Sequence, residues 1–221
     1  MGAMVGPGGR LGAQNVTLRF LIGDAYGVKD FQIVADGSSW TNTDRYDVTA
    51  RAPEGTANGF DIRPMVQSLL ADRFKLVLHR ETRELPIYEL VAAKGGLRVT
   101  APKDSSCVIP DPKNPRPRED FPFCDNIRKG RGLIDAYGIT MPRLLPALSD
   151  VLGRVVVDKT GFKGIFDGHL EFTPDELIAD ADSKTPSIFT ALQEQLGLRA
   201  ESAKGPVEVL VVDRAERPSV N

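Results

Sequence analysis

The sequence predicts an α+β fold of two repeated α-β-β-α-β-β units, in which small, mainly antiparallel sheets are backed by helices. Three observations predict it. Helix and strand signals recur at an offset of 123 residues, from Val16 to Ile139. Strand-like segments outnumber helical ones, and short turns join neighbouring strands. We therefore divide the chain into a first repeat at 10–97, a proline-rich insert at 98–131 and a second repeat at 132–221.

The elements of the first repeat follow from residue spacing. Apolar residues at 18, 21, 22 and 25 lie on one helical face, and Gly27 suits the C-terminal cap. Apolar residues at 62, 65, 66, 69 and 70 predict a second helix. Apolar or alternating runs predict strands at 31–34, 45–54, 74–80 and 86–92. We interpret the charged run at 80–84 as a solvated hairpin between the last two strands.

The second repeat has the same order of elements. Apolar residues at 141, 144, 145 and 148 predict a helix capped by Thr140, which Pro146 is expected to shorten or kink. Thr185 as cap and Pro186 in the first turn predict a helix at 186–196. Strands are predicted at 155–157, 165–175, 198–201 and 207–213, with a hairpin turn at 204–206. A short strand at 10–11 and at 133–134 could precede the first helix of each repeat.

Composition and missing motifs exclude several classes of protein. The chain has 221 residues and a net charge of −2, so it has no global basic field for nucleic acid. No apolar run is long enough for a membrane-spanning helix. Two histidines are too few for a histidine-rich zinc centre. The sequence has no phosphate loop, nucleophile elbow or Cys-x-x-Cys motif, and we expect no nucleotide or flavin cofactor.

Cys107 and Cys124 bracket the proline-rich stretch of the insert. A disulfide between them would remove roughly 3 kcal/mol of unfolded-state entropy, and it would suit a compartment outside the reducing cytosol. Two unpaired loop thiols are the alternative. We favour the disulfide because an exposed thiol pair is a chemical liability.

The strongest candidate for a metal site is an acidic run at 173–183. It contains Asp175, Glu176, Asp180 and Asp182 in a predicted loop, and Ca²⁺ prefers several oxygen ligands on a flexible loop. The run lacks the glycine and terminal glutamate of an EF-hand. A solvated surface loop is the alternative interpretation.

Two histidines and two aromatic residues complete the set of candidate site residues. His79 and His169 are the candidates for catalysis, although neither has a nucleophile or a metal partner nearby in the sequence. Glu171 lies two residues after His169 and shares a face of its strand. A surface or interface histidine at position 79 and a cross-strand pair at position 169 are the simpler interpretations. Trp40 and Tyr88 are the candidate ligand-binding residues, and for Trp40 the alternative is a core anchor over the sheet.

Seven stretches carry a resemblance to a known family. They are VTLR at 16–19, DRYDV at 44–48, LLADRFKL at 69–76, HRETRELPIY at 79–88, VDKTG at 157–161, FTALQEQLGL at 189–198 and KGPVEVLVVD at 204–213. These stretches resemble a family of exported proteins of unknown function that is expanded in soil bacteria. Each half also resembles the short N-terminal domains of secretins and TonB-dependent receptors, which are periplasmic modules that bind partners.

The resemblance covers almost the whole chain and implies no catalytic motif. Members of the family usually begin with an export signal and an additional strand. Because this chain begins with neither, we expect its first sheet to lack a strand. We expect the native full-length form to be periplasmic or secreted.

Two functional hypotheses follow. The first is an exported, non-catalytic binding module that holds a protein or peptide partner, in a groove between the halves or at an exposed sheet edge near 86–92. The second is a Ca²⁺-dependent hydrolase of a small ester or lactone, in which the acidic run holds the ion. Turnover of an ester and lactone panel, with calcium and with chelator, would distinguish them.

Overall fold

The computed structural model describes residues 3–6, 10–35, 37, 39–51, 61–102, 107, 109, 123–174 and 185–219, and for 3–6 it describes the backbone. Across these residues the strands are β1 (Ala3–Gly6), β2 (Arg10–Val16), β3 (Ile33–Val34), β4 (Tyr46–Arg51), β5 (Val77–Ala92), β6 (Asn126–Gly130), β7 (Leu133–Thr140), β8 (Val156–Asp158), β9 (Ile165–Glu171) and β10 (Leu198–Arg214). The helices are α1 (Leu18–Tyr26), α2 (Trp40–Thr43), α3 (Arg63–Phe74), α4 (Met141–Leu152) and α5 (Ile188–Ala191), with a 3-10 turn at Asp30–Gln32 and a π-helical turn at Leu192–Leu196. These elements confirm the α+β class. None of the described helices has the length and apolar character to cross a membrane.

Two three-stranded antiparallel sheets repeat one another. Their strand orders are β1-β2-β4 and β6-β7-β9. The register of β2 against β4 shifts between Ala13 and Val16, and that of β7 against β9 shifts between Ala136 and Ile139. The same bulge therefore occurs in both sheets, 123 residues apart. The expectation that the first sheet lacks a strand is wrong, because β1 pairs with β2.

An aspartate holds each bulge in place. Asn15 and Gly138 have left-handed φ angles of 54° and 57°. The backbone N–H of Asn15 donates to Asp47 Oδ1 at 2.8 Å, and that of Gly138 donates to Asp167 Oδ1 at 2.7 Å. Each aspartate follows an aromatic residue that packs against or within the core. The aromatic-aspartate pair in each repeat therefore marks a bulge whose extra N–H needs an acceptor.

The chain forms two compact units, one of residues 1–84 and 206–221 and the other of residues 85–205. These bounds differ from the repeats that we expected at 10–97 and 132–221, and the insert at 98–131 falls within the second unit. The unit boundaries fall inside β5 and β10, which are 16 and 17 residues long. Each unit therefore contains part of the last strand of both sequence repeats.

Both hairpins predicted near the ends of the repeats are wrong, because β5 and β10 are continuous strands. The run at 80–84 lies within β5, and the Lys-Gly-Pro stretch at 204–206 lies within β10. A Cβ on Gly205 would lie 2.7 Å from Cδ1 of the buried Ile87. This glycine therefore allows a close approach within the second unit and does not form a turn.

The sheet edge expected near 86–92 is occupied. The strand order β3-β10-β5-β8 gives β5 a neighbour on each side. In the second unit, Tyr88 and Leu90 pair in parallel with β8. In the first unit, β10 pairs in parallel with β3 at Leu210 and Val211.

Each unit has its own core. In the first unit, the apolar face of α1 packs with α3 and with Leu210 and Val212 of β10. In the second unit, the apolar face of α4 packs with Phe166 and Leu170 of β9 and with Leu90 of β5. The final strand of each sequence repeat thus contributes to the core that holds the helices of the other repeat.

The helix ends show which local signals were reliable. The predicted apolar face of α1 is buried, and the helix ends at Gly27 with a left-handed φ of 65°. α4 continues through Pro146 to Leu152, so the expected shortening is wrong. The cap of α5 is Ser187, whose hydroxyl accepts from Thr190 N–H, and it is not Thr185. Thr185 instead contacts Thr173, as described below.

Candidate functional site

The outer edge of β9, in the second unit, is the candidate site. β9 pairs with β7 along one side, with His169 opposite Asp135. In an antiparallel pair, the backbone groups of alternate residues point toward and away from the partner strand. The backbone N–H groups of Asp167 and Glu171 donate to acceptors outside the β7-β9 pair. The N–H and C=O of His169, which lies between them in the alternation, therefore point to the same outer edge.

Other residues of the protein form hydrogen bonds with this edge on both sides of His169. On one side, Asp167 N–H donates to Thr100 O at 3.0 Å. On the other side, the side-chain amide of Gln195 accepts from Glu171 N–H and donates to Glu171 O, both at 2.9 Å. Within the described part of the chain, no hydrogen-bond partner contacts the backbone N–H or C=O of His169.

A cavity of about 340 Å³ lies along this edge. We call it the β9 cleft, and its lining residues are Arg98, Thr100, Asp167, Gly168, His169, Glu171, Gln195 and Leu196. Backbone edge groups, an imidazole, carboxylates, an amide and a guanidinium converge there. Such a lining supplies donors and acceptors for a polar ligand.

The imidazole of His169 has a fixed orientation. Its Nδ1 lies 2.6 Å from Asp135 Oδ1. The carboxylate partner favours the hydrogen on Nδ1, which leaves Nε2 as the acceptor of a neutral ring. The His169 side chain is 62% exposed, against 23% for Asp135. The ring is therefore accessible to a ligand while the aspartate holds it.

Close packing behind the cleft positions its other residues. A Cβ on Gly197, whose φ is 64°, would lie 2.2 Å from the carbonyl oxygen of Gly96. This close approach lets Arg98 N–H donate to Leu196 O at 2.8 Å. The Arg98 guanidinium in turn donates to Glu194 O at 2.8 Å. The segment that carries Arg98 and Thr100 is thus bonded to the helical segment that carries Gln195.

The disulfide lies beside the same sheet. Cys107 and Cys124 are bonded, with an S–S distance of 2.06 Å. A Cβ on Gly138 would lie 3.1 Å from Cys107 Sγ and 3.3 Å from Cys124 Cβ. Because Gly138 N–H donates to Asp167, the disulfide packs against the bulge that holds one carboxylate of the β9 cleft.

His79 lies in the other unit from His169. Its Nδ1 is 2.9 Å from both carboxylate oxygens of Asp213, and its Nε2 is 3.8 Å from Glu81 Oε2. The hydrogen bond with Asp213 is the main cause that raises the pKa of His79 above 6.5, and the charges of Asp213 and Glu81 add to it. The two candidate catalytic histidines therefore have separate surroundings.

The two candidate aromatic residues each have a guanidinium over the ring. Trp40 packs against the first core, with the Arg217 guanidinium carbon 5.2 Å from its ring centroid. Tyr88 packs against the second core, with Arg154 at 5.1 Å. Its ring also makes an edge contact with Phe189, at 5.6 Å between centroids. Neither aromatic residue lines the β9 cleft.

The predicted calcium ligands Asp175, Glu176, Asp180 and Asp182 lie outside the described residues. The described residues on either side of these four carboxylates are in contact. Thr173 Oγ1 donates to Thr185 O at 2.6 Å, and Thr173 N–H donates to Pro186 O at 2.8 Å. In the part of the chain that the structure describes, no group of three or more His, Cys, Asp or Glu side chains could hold a metal ion.

Sequence reasoning identified part of the β9 cleft. Strand alternation placed His169 and Glu171 on one face. Asp167 was not predicted as a site residue, although an aromatic-aspartate pair occurs at this place in both repeats. Arg98, Thr100, Asp135 and Gln195 were missed. For Asp135, the strand signal at 133–134 was available, but the choice of β9 as its partner required tertiary pairing. No local pattern pointed to Arg98 or Gln195.

These features define an internally duplicated, disulfide-bonded α+β protein with an open polar cleft at a sheet edge. The chain belongs to the family described as protein of unknown function DUF3738, whose profile matches residues 19–215. No curated protein and no solved structure matches it. The matched range covers most of both sequence repeats and every residue that lines the β9 cleft.

Proposed function

We propose that this protein is an exported, non-catalytic binding module that holds a protein or peptide partner at the β9 cleft. One observation carries the proposal. The outward N–H and C=O of His169 have no hydrogen-bond partner among the described residues. On either side of it, Thr100 and Gln195 form hydrogen bonds with the outward backbone groups of Asp167 and Glu171. An unpaired strand edge is a template for another main chain. Main-chain hydrogen bonds of this kind are a common means of peptide recognition.

The chemistry of the cleft supports binding. A main-chain segment offers a donor and an acceptor at each residue, which matches what His169 presents. Asp167, Glu171 and Arg98 add charge at the rim and would select among partner side chains. Asp135 orients the His169 ring, so a ligand would meet a preformed surface.

The disulfide supports the exported location. A bond between Cys107 and Cys124 persists in the periplasm or outside the cell and is rare in a reducing cytosol. Protein purified from an exported preparation without reductant should contain the linked peptides, as mass spectrometry would detect. Two alkylatable thiols in that preparation would contradict the proposed location.

Peptide selection tests the binding site. A displayed library of random heptapeptides is selected on the wild-type protein, and the selected peptides are then measured against His169→Pro and His169→Ala. Proline deletes the outward N–H at an edge where no ladder bond depends on it, whereas alanine keeps the backbone and removes the imidazole. We expect at least a tenfold loss of affinity for His169→Pro and a smaller loss for His169→Ala. Circular dichroism melting checks that both variants fold.

Peptides that bind both variants as tightly as wild type would contradict binding at this edge. The calcium-dependent hydrolase hypothesis is tested in parallel with a panel of esters and lactones, in calcium chloride and in EDTA. Turnover that EDTA abolishes, and that Asp180→Ala with Asp182→Ala also abolishes, would replace the binding proposal with the hydrolase.

A further inference from the structure

We infer that the Gln195 side chain is an internal substitute for a partner's main chain, and that the partner is a short extended peptide with a cationic side chain opposite Glu171. This inference rests on the proposed function, and it names the class of partner and the residue that competes with it. It is argued from the bonds at Glu171, the limits of the edge and the charges around it.

Gln195 bonds to β9 as a neighbouring strand would. Its Oε1 accepts from Glu171 N–H and its Nε2 donates to Glu171 O, both at 2.9 Å. A residue of an added antiparallel strand would make the same reciprocal pair of bonds. A partner that displaced the amide would replace two hydrogen bonds with two of the same kind, so the exchange has a small net cost.

The position of Gln195 also makes it suited to displacement. It lies in the π-helical turn Leu192–Leu196, a rare geometry that is frequently found at functional sites. Leu192 and Leu196 of this turn are buried in the second core, whereas the Gln195 amide lies at the cleft. The side chain could therefore move by rotamer changes while the turn stays packed.

The two ends of the edge limit the length of the partner. Asp167 N–H donates to Thr100 O at one end, and Thr173 N–H donates to Pro186 O at the other. Between these two ends, displacement of the Gln195 amide would leave the outward backbone N–H and C=O groups of both His169 and Glu171 available. A strand rises about 3.3 Å per residue, so a segment of about three residues fits this opening.

The charges around the opening favour a cation. Asp167, His169 and Glu171 lie on the same outer face of β9, and Asp135 lies behind His169. Arg98 is the cation that lines the cleft, and its guanidinium already donates to Glu194 O. Opposite charges directly across neighbouring strands attract, and like charges repel. A lysine or arginine opposite Glu171 is therefore the matching side chain.

A blocked tripeptide, acetyl-VKV-amide, is the defined probe. Its sequence reads the same in both directions, so its lysine faces Glu171 in either strand orientation when the peptide is centred there. Affinity for wild type and for Gln195→Ala is measured by calorimetry. We expect about tenfold tighter binding to Gln195→Ala, because the internal competitor is removed. Replacing the peptide's lysine by glutamate should weaken binding at least tenfold in both proteins.

Two controls separate displacement from other effects. The same peptide with a methyl group on the backbone nitrogen of its lysine keeps its charge but loses the main-chain donor. This peptide should not bind. Gln193→Ala changes a neighbouring exposed amide that does not line the cleft, and it should leave affinity unchanged. Thermal melting of each variant checks folding.

Equal or weaker binding of the probe to Gln195→Ala would overturn the substitute role of Gln195. Failure of the probe to bind either protein would overturn the cationic peptide as the partner class. In both cases the heptapeptides selected on wild type, and compared between wild type and His169→Pro, still decide the proposed function. If those peptides also bind His169→Pro as tightly as wild type, the proposed function itself fails.

Discussion

At the scale of single residues, both histidines of this protein share one arrangement. Each presents Nδ1 to an aspartate from a neighbouring strand, His79 to Asp213 and His169 to Asp135. The partners are 134 and 34 residues away along the chain. No local sequence pattern could identify them, because strand pairing creates each contact. The sequence-based expectation of a cross-strand pair for His169 is confirmed, because Asp135 lies opposite it on β7, but the sequence could not name that partner.

The first prediction concerns the pKa of His79. The hydrogen bond with Asp213 raises this pKa above 6.5, because the carboxylate favours the protonated ring. Asp213→Asn should therefore lower it, as the imidazole signals in an NMR titration would report. Asp135→Asn is the matched control and should leave the pKa of His79 unchanged. An unchanged His79 pKa in Asp213→Asn would contradict the assignment.

The same contact predicts a pH dependence of stability. Because the folded pKa of His79 is raised, its protonated form stabilises the native state. That contribution is fully present below pH 6.5, the ordinary pKa of the group, while Asp213 stays ionised. It is lost as the pH rises through the raised pKa of the folded state. The difference in unfolding free energy between wild type and Asp213→Asn should shrink over that range in urea titrations.

At the scale of elements, helix ends were predictable where a glycine marks them. α1 and α4 end at Gly27 and Gly153, and the π-helical turn ends at Gly197, all with left-handed φ. α3 ends at Phe74 and is capped by Lys75, which has a left-handed φ of 48°. The predicted last residue was 70, whereas the helix continues to Phe74. Without a glycine, periodicity alone placed this end four residues too early.

The second prediction compares two of these glycines. Gly197→Ala would place its Cβ 2.2 Å from a backbone oxygen, whereas Gly153→Ala meets nothing within 4 Å. Both substitutions incur the left-handed penalty of about 1 kcal/mol. Gly197→Ala should lose about 3 kcal/mol or more in total, because backbone must move. Equal losses in urea unfolding would contradict the close approach at Gly96.

At the scale of the molecule, the two sequence repeats do not coincide with the two compact units. β10 ends the second repeat, yet Leu210 is fully buried in the first unit's core. β5 ends the first repeat, yet Leu90 is fully buried in the second unit's core. The duplication is visible in the sequence, but the exchange of strand segments is not.

The third prediction tests this exchange. Leu210→Ala and Leu90→Ala should each destabilise their own unit by about 3 kcal/mol, because each leaves a cavity in a core. Hydrogen exchange should accelerate in α1 and α3 for Leu210→Ala and in α4 for Leu90→Ala. If Leu210→Ala instead accelerated exchange in α4 alone, the assignment of β10 to the first core would be wrong.

The sequence by itself determined the α+β class, the duplication, the buried face of α1 and the face shared by His169 and Glu171. These properties depend on periodicity and capping, which act within a few residues. Tertiary structure alone decided that β5 and β10 are continuous, that Gly205 accommodates Ile87, and that Gln195 and Thr100 meet the edge of β9. The reason is physical: a strand leaves its backbone groups unpaired until another segment supplies partners. Which segment does so depends on the packing of the whole unit.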